Sequence, residues 1–167
     1  MQALSEASDT RVELDRLIGD ALPGRRGLGA WQALLHAHAS LVRELATDLP
    51  SKTGLTLGDF DVLAQLALAG GELRMTDLAT RAFSSRSGMT RRVDRLVDER
   101  LLQGSGADAD ARSVVVGLTD KGLAQLRENV PIHLAKMSEL FADRLDDEEL
   151  AVLECALQKV AVDCSFG

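Results

Sequence analysis

Residues 74–100 read RMTDLATRAFSSRSGMTRRVDRLVDER, and this stretch decides the fold. Thr76 stands where a helix cap belongs, ahead of Leu78, Ala79 and Ala82 on a short helix. The pattern breaks at Phe83 and Ser84. Ser84 or Ser85 then caps a second helix whose apolar positions Met89, Val93, Leu96 and Val97 recur at i, i+4, i+7 and i+8, running to Arg100. With that stripe turned inward, Arg86, Ser87, Thr90, Arg91 and Asp94 face outward. Two short helices around a tight turn, the second basic on its outer side, form a helix-turn-helix pattern.

The flanks complete the unit. Upstream, residues 59–69 place Phe60, Leu63, Leu66 and Ala67 on one helical face, stopped by Gly70 and Gly71. Residues 72–74 are extended. A longer helix carries Trp31, Leu34, Leu35, His38, Leu41, Val42 and Leu45 and closes before Pro50. Residues 51–58 read as a loop between these two helices. Residues 1–29 form an arm with a short amphipathic helix at Leu14, Leu17, Ile18, Ala21 and Leu22, then a loop from Pro23. Downstream, an extended piece begins at Leu101, a polar Gly/Asp tip spans 104–112, and residues 113–118 return as a strand. Thr119 caps a helix through Leu123, Leu126, Val130, Leu134, Met137 and Phe141, bent at Pro131. Asp146 and Glu149 make a capping box for a last helix. The order predicts a mainly α fold with a small β-hairpin wing, a winged helix-turn-helix domain plus a helical region.

Composition narrows the class. The chain has 167 residues, 46% hydrophobic and 27% charged, which suits one globular domain rather than a disordered or fibrous chain. No apolar run reaches the roughly 18 residues of a membrane span. Glu6, Asp9, Glu13, Asp15 and Asp20 leave no room for a leader's apolar core, and two cysteines make no disulfide framework, so a cytoplasmic location is expected. Net charge is −7, which by itself opposes nucleic acid. Its distribution does not. Residues 81–95 hold Arg81, Arg86, Arg91, Arg92 and Arg95 against Asp94, a cationic patch on an anionic body that attracts DNA in one orientation.

Each outward residue has a part to play in a major groove that admits one helix. Arg86 suits bidentate recognition of guanine, worth ~1–3 kcal/mol of discrimination. Ser87 and Thr90 suit base edges or a thymine methyl, Arg91 and Arg92 flank them toward phosphates, and Ser85 at the helix start completes the DNA-binding set. Gly88 either admits close approach to the groove or packs against a neighbouring helix. Arg95 reads as a structural ion pair. Arg112, at the base of the tip, either enters a minor groove or pairs with Asp108 or Asp110.

These segments together resemble the MarR (multiple-antibiotic-resistance regulator) family over residues 30–162. The resemblance rests on Gly54-Leu55-Thr56-Leu57, Arg74-Met75-Thr76-Asp77-Leu78-Ala79, Ser85-Arg86-Ser87-Gly88-Met89-Thr90-Arg91, Val93-Asp94-Arg95-Leu96, and Asp110-Ala111-Arg112 followed by Leu118-Thr119-Asp120-Lys121-Gly122. It implies a winged helix-turn-helix at about 54–119, dimerisation helices at about 30–49 and 119–162, and a homodimeric repressor that responds to a small ligand. Its DNA partner is then an inverted repeat with half-sites about 34 Å apart. The wing departs from the family pattern, having two carboxylates and a single Arg where several basic residues are usual.

The same resemblance places an effector pocket near Trp31, His38 and Phe60, suited to a small aromatic acid. Alternatively Trp31 and His38 are buried packing residues at a dimer interface. Asp61 either reaches that region or serves the helix start. No cofactor and no metal are expected: His36 and His38 diverge by about 200° on a helix, and His133 stands apart. Two other functions stay open, a dimeric protein-interaction module without DNA binding and a thiol-responsive regulator using Cys155 and Cys164. No nucleophile–base arrangement or phosphate-cradling loop is legible, so an enzyme is not expected.

Overall fold

The computed structural model describes residues 2–82, 85–105 and 114–162. Among them the helices are α1 (Gln2–Ala21), α2 (Leu28–Thr53), α3 (Leu57–Leu68), α4 (Met75–Arg81), α5 (Arg86–Asp98), α6 (Asp120–Leu140) and α7 (Asp147–Val162). Three short strands, β1 (Glu72–Arg74), β2 (Leu102–Ser105) and β3 (Val115–Leu118), form an antiparallel sheet in the order β1-β3-β2. The fold is mainly helical with a small sheet, as the pattern of elements requires. It divides into two compact units, Met1–Val42 and Arg43–Gly167, with α2 crossing the boundary.

In the first unit, α1 begins twelve residues before the expected helix at Leu14. The early part repeats no apolar stripe, but it lacks Pro and Gly and is rich in Ala and Glu, so propensity extends the helix. A 3-10 turn at Pro23–Arg25 follows, and the Arg25 guanidinium returns to the Asp15 carboxylate at 3.1 Å.

The second unit holds the core. Val62, Leu63 and Leu66 of α3, Leu78 of α4, Met89 and Leu96 of α5 and Val116 of β3 are fully buried together. Three boundaries differ from the expectations. First, α2 runs through Pro50 to Thr53 instead of closing before it. Proline has no amide hydrogen, so one helical hydrogen bond to the preceding turn is forfeited at Pro50. Ser51 and Thr53 hydroxyls donate to the Asp48 and Leu49 carbonyls at 2.7 Å each, and Leu49 is buried. Second, α3 starts at Leu57 inside the expected loop, because Thr56 and Asp59 form a capping box. Third, Thr76 does not cap α4, which begins at Met75 without a side-chain cap. The Met75 amide donates instead to the Val114 carbonyl at 2.9 Å, so the sheet already satisfies the helix start.

The caps at Ser85, Thr119 and Asp146 form as expected. At the end of α5, Arg100 adopts a left-handed φ of 61°, and the Arg100 and Leu101 amides close on the Val97 and Leu96 carbonyls. The Thr119 hydroxyl donates toward the carbonyls of Arg100 (2.8 Å) and Leu101 (3.0 Å) and accepts from the Gly122 amide (3.0 Å). A Cβ on Gly122 would sit 2.1 Å from the Leu101 carbonyl oxygen. That neighbour is backbone and cannot swing aside. Gly122→Ala is expected to destabilise the protein by about 1–3 kcal/mol through overpacking, read as a lower urea midpoint at unchanged m-value.

Candidate nucleic-acid interface

Helix α5 is sharply two-sided. Met89, Val93 and Leu96 are buried, while Arg86, Ser87, Thr90, Arg91 and Asp94 are exposed. Burial of three side chains at helical spacing leaves the opposite face no choice of direction. The exposed Ser85 caps the helix, its hydroxyl accepting from the Gly88 amide at 3.2 Å. The Thr90 hydroxyl donates to the Arg86 carbonyl at 3.1 Å, which leaves its methyl free to face outward. The first turn carries no acidic residue, so the positive end of the helix dipole is not offset there. Neither Arg86 nor Arg91 has an ion pair among the described residues.

Arg92 and Arg95 behave differently. Both turn toward α3, where Asp59 is 1% exposed. One Asp59 oxygen, Oδ1, accepts a hydrogen bond from Arg95 Nη2 and lies 3.7 Å from Arg92 Nε. The other, Oδ2, accepts from the Thr56 amide at 3.1 Å. Arg95 also donates to Glu99 at 3.0 Å. Burial alone would lower the Arg95 pKa, but the hydrogen bonds and charges of Asp59 and Glu99 outweigh it and leave that pKa raised. The structural ion pair expected of Arg95 is present. Arg92, expected to point toward phosphates, instead lies across Gly58, where a Cβ would come within 1.9 Å of its Nη1.

Asp59 was visible in the sequence only as a helix-start residue. The signal that finds it is the spacing Thr56-x-x-Asp59, a capping box written with Asp in place of Glu or Gln. Phe83, Ser84, Arg112, Asp108, Asp110 and Cys164 lie outside the described residues. Cys155 is exposed on α7.

The residues expected around an effector belong to different units. Trp31 and His38 are exposed in the first unit, Trp31 to 57%. Phe60 is buried in the second, its ring 4.3 Å from that of His133 at an interplanar angle of 31°. His133, set apart in the sequence, is thus part of the α3–α6 contact. Its Nδ1 is buried without a hydrogen-bond partner among the described residues. Asp61, one residue from Phe60, accepts from Gln65 at 3.4 Å and acts on His133 through its charge.

A helix-turn-helix whose second helix shows a basic outer face, backed by a small antiparallel sheet, defines a winged-helix DNA-binding protein. The MarR family model matches residues 53–113, which span α3, β1, α4, α5 and β2. AbsC, a MarR family transcriptional regulator from Streptomyces coelicolor, is 31% identical with a TM-score of 0.72, over 81% of this chain and 92% of AbsC. Sco3205 from the same organism, solved in complex with DNA, is 27% identical with a TM-score of 0.74, over 83% and 87% of the two chains. Bordetella bronchiseptica BpsR, whose DNA binding is regulated by 6-hydroxynicotinic acid, is 26% identical with a TM-score of 0.70, over 80% and 98%. The chain belongs to the MarR family and is a transcriptional regulator of that type.

Burial pushes the His133 imidazole below its ordinary pKa of 6.5, and the Asp61 charge offsets only part of this. The unfolded chain therefore takes up the proton first as pH falls, and the fold loses the stability that neutral His133 contributes above that pH. His133→Phe is expected to flatten the decline in Tm from about pH 7.5 to about pH 5.5, measured by circular dichroism.

Proposed function

We propose that the protein is a homodimeric, sequence-specific repressor that binds an inverted-repeat operator and is released by a small molecule, an aromatic acid fitting best. The outward face of α5 carries this reading: Arg86, Ser87, Thr90 and Arg91 are exposed on a helix locked by Met89, Val93 and Leu96. The helix dipole adds positive potential at the end that meets the bases, where Ser85 stands as the cap. Arg112 contributes from the wing, through the minor groove.

Exposed apolar side chains support the dimer. Leu134 of α6 and Val152, Leu157 and Val160 of α7 lie on helices that the family uses for pairing, as do Leu34 and Leu35 of α2. A two-fold axis then sets two copies of α5 about one helical turn of DNA apart, about 34 Å. The ligand-regulated DNA binding of BpsR supports an effector of similar chemistry. A bacterial cytoplasm is the compartment in which such a protein meets its operator.

Arg86→Ala is expected to weaken binding to a duplex enriched from a random pool by about 1–3 kcal/mol and to relax base preference at one position in each half-site. Arg91→Ala should weaken enriched and scrambled duplexes alike. Fluorescence anisotropy with both duplexes distinguishes the two roles. Retention of the enriched duplex by an Arg86→Ala/Arg91→Ala double variant equal to that of the wild type would end the reading. Val152→Asp with Val160→Asp is expected to convert the dimer to monomer in sedimentation at micromolar concentration.

A further inference from the structure

The basic segment holds five arginines, but the structure does not present them alike. Arg86 and Arg91 stand free of ion pairs among the described residues, while Arg92 and Arg95 are drawn onto α3 by one buried carboxylate. On a helix advancing 100° per residue, Arg92 and Arg95 lie about 60° apart on one flank of α5, beside the exposed face. Asp59 is committed to that flank. Its Oδ2 is used by the Thr56 amide at 3.1 Å, and its Oδ1 meets both guanidiniums. Gly58 completes the arrangement, because the Arg92 guanidinium occupies the space where any side chain would begin.

We propose that Asp59 is a specificity-determining positioning residue that withholds Arg92 and Arg95 from the DNA backbone and fixes the roll of α5 against α3, with Gly58 as the slot that admits Arg92. The proposal rests on α5 being the DNA-reading helix. A guanidinium on phosphate adds affinity to every sequence equally, whereas one on a base edge adds it to the right sequence alone. Neutralising two of the flanking cations therefore lowers the background against which Arg86 discriminates. It also holds the helix at one angle, so that Arg86 and Thr90 meet the same base pairs each time. The acidic body of the protein acts over long range; Asp59 acts at contact, on two named groups.

The test uses Asp59→Asn and Gly58→Ala in the full chain, with a duplex enriched from a random pool and a scrambled duplex of equal composition. Asparagine keeps the shape and the acceptor for the Thr56 amide but removes the charge. Alanine suits a helix better than glycine and evicts Arg92 alone. For Asp59→Asn, the log–log salt slope on the scrambled duplex is expected to steepen by roughly 1–2 per subunit, and the ratio of enriched to scrambled affinity to fall about tenfold. Gly58→Ala should move both readouts in the same direction by about half as much on the logarithmic scale. A purely structural role would lower Tm and weaken both duplexes without steepening the slope. Unchanged slope and ratio in folded, DNA-binding variants would overturn the proposal and leave the DNA-binding reading standing. Should Asp59→Asn fail to fold, Gly58→Ala decides alone. A wild-type chain with no preference for any enriched duplex would remove the DNA-binding reading first, and this one with it.

Discussion

The seating of α5 is the constraint on which the rest of the molecule depends. Met89, Val93 and Leu96 are buried in the core, with α5 packed on α4 and β2, and that burial decides which side chains the opposite face displays. Burying each such side chain contributes about 1.5–3 kcal/mol, far more than any surface ion pair on the same helix. The polar face follows from the apolar one. Without the core, the basic residues would be a charged tract with no direction.

Charge is then distributed on two scales. The chain carries −7 overall, yet α5 carries most of a local positive patch. An anionic body weakens indiscriminate attraction to polyanions, while the patch favours a single orientation of approach. The buried Asp59 repeats this logic at atomic range. An isolated buried carboxylate is costly, and here it is sustained by two guanidiniums and a backbone amide.

Much of the fold was legible because it is written in local signals. The stripe in α5, the caps at Ser85 and Thr119 and the box at Asp146 need only neighbouring residues to be understood. The α3 start is local too, a capping box written with Asp59, but other boundaries depend on packing and on residues beyond the local pattern. Thr76 looks like a cap until Val114, nearly forty residues later, supplies the acceptor for Met75. Pro50 looks like a stop until the burial of Leu49 is known. The candidate site divides in the same way: the outward set on α5 follows from periodicity, whereas the fate of Arg92 depends on an absent side chain at Gly58, thirty-four residues upstream. His133 seemed isolated for a similar reason, since its partner Phe60 belongs to another helix.

The strand order has a consequence for synthesis on the ribosome. Because β3 is central, β1 and β2 have no hydrogen-bonding neighbour until residues 115–118 have emerged. Helix α5 leaves the exit tunnel well before its frame can close. A nascent chain stalled ahead of Val115 would display two lone strand edges, the kind of surface that invites misassociation or chaperone capture. The last four residues of the sheet to be made thus complete both of its pairings at once.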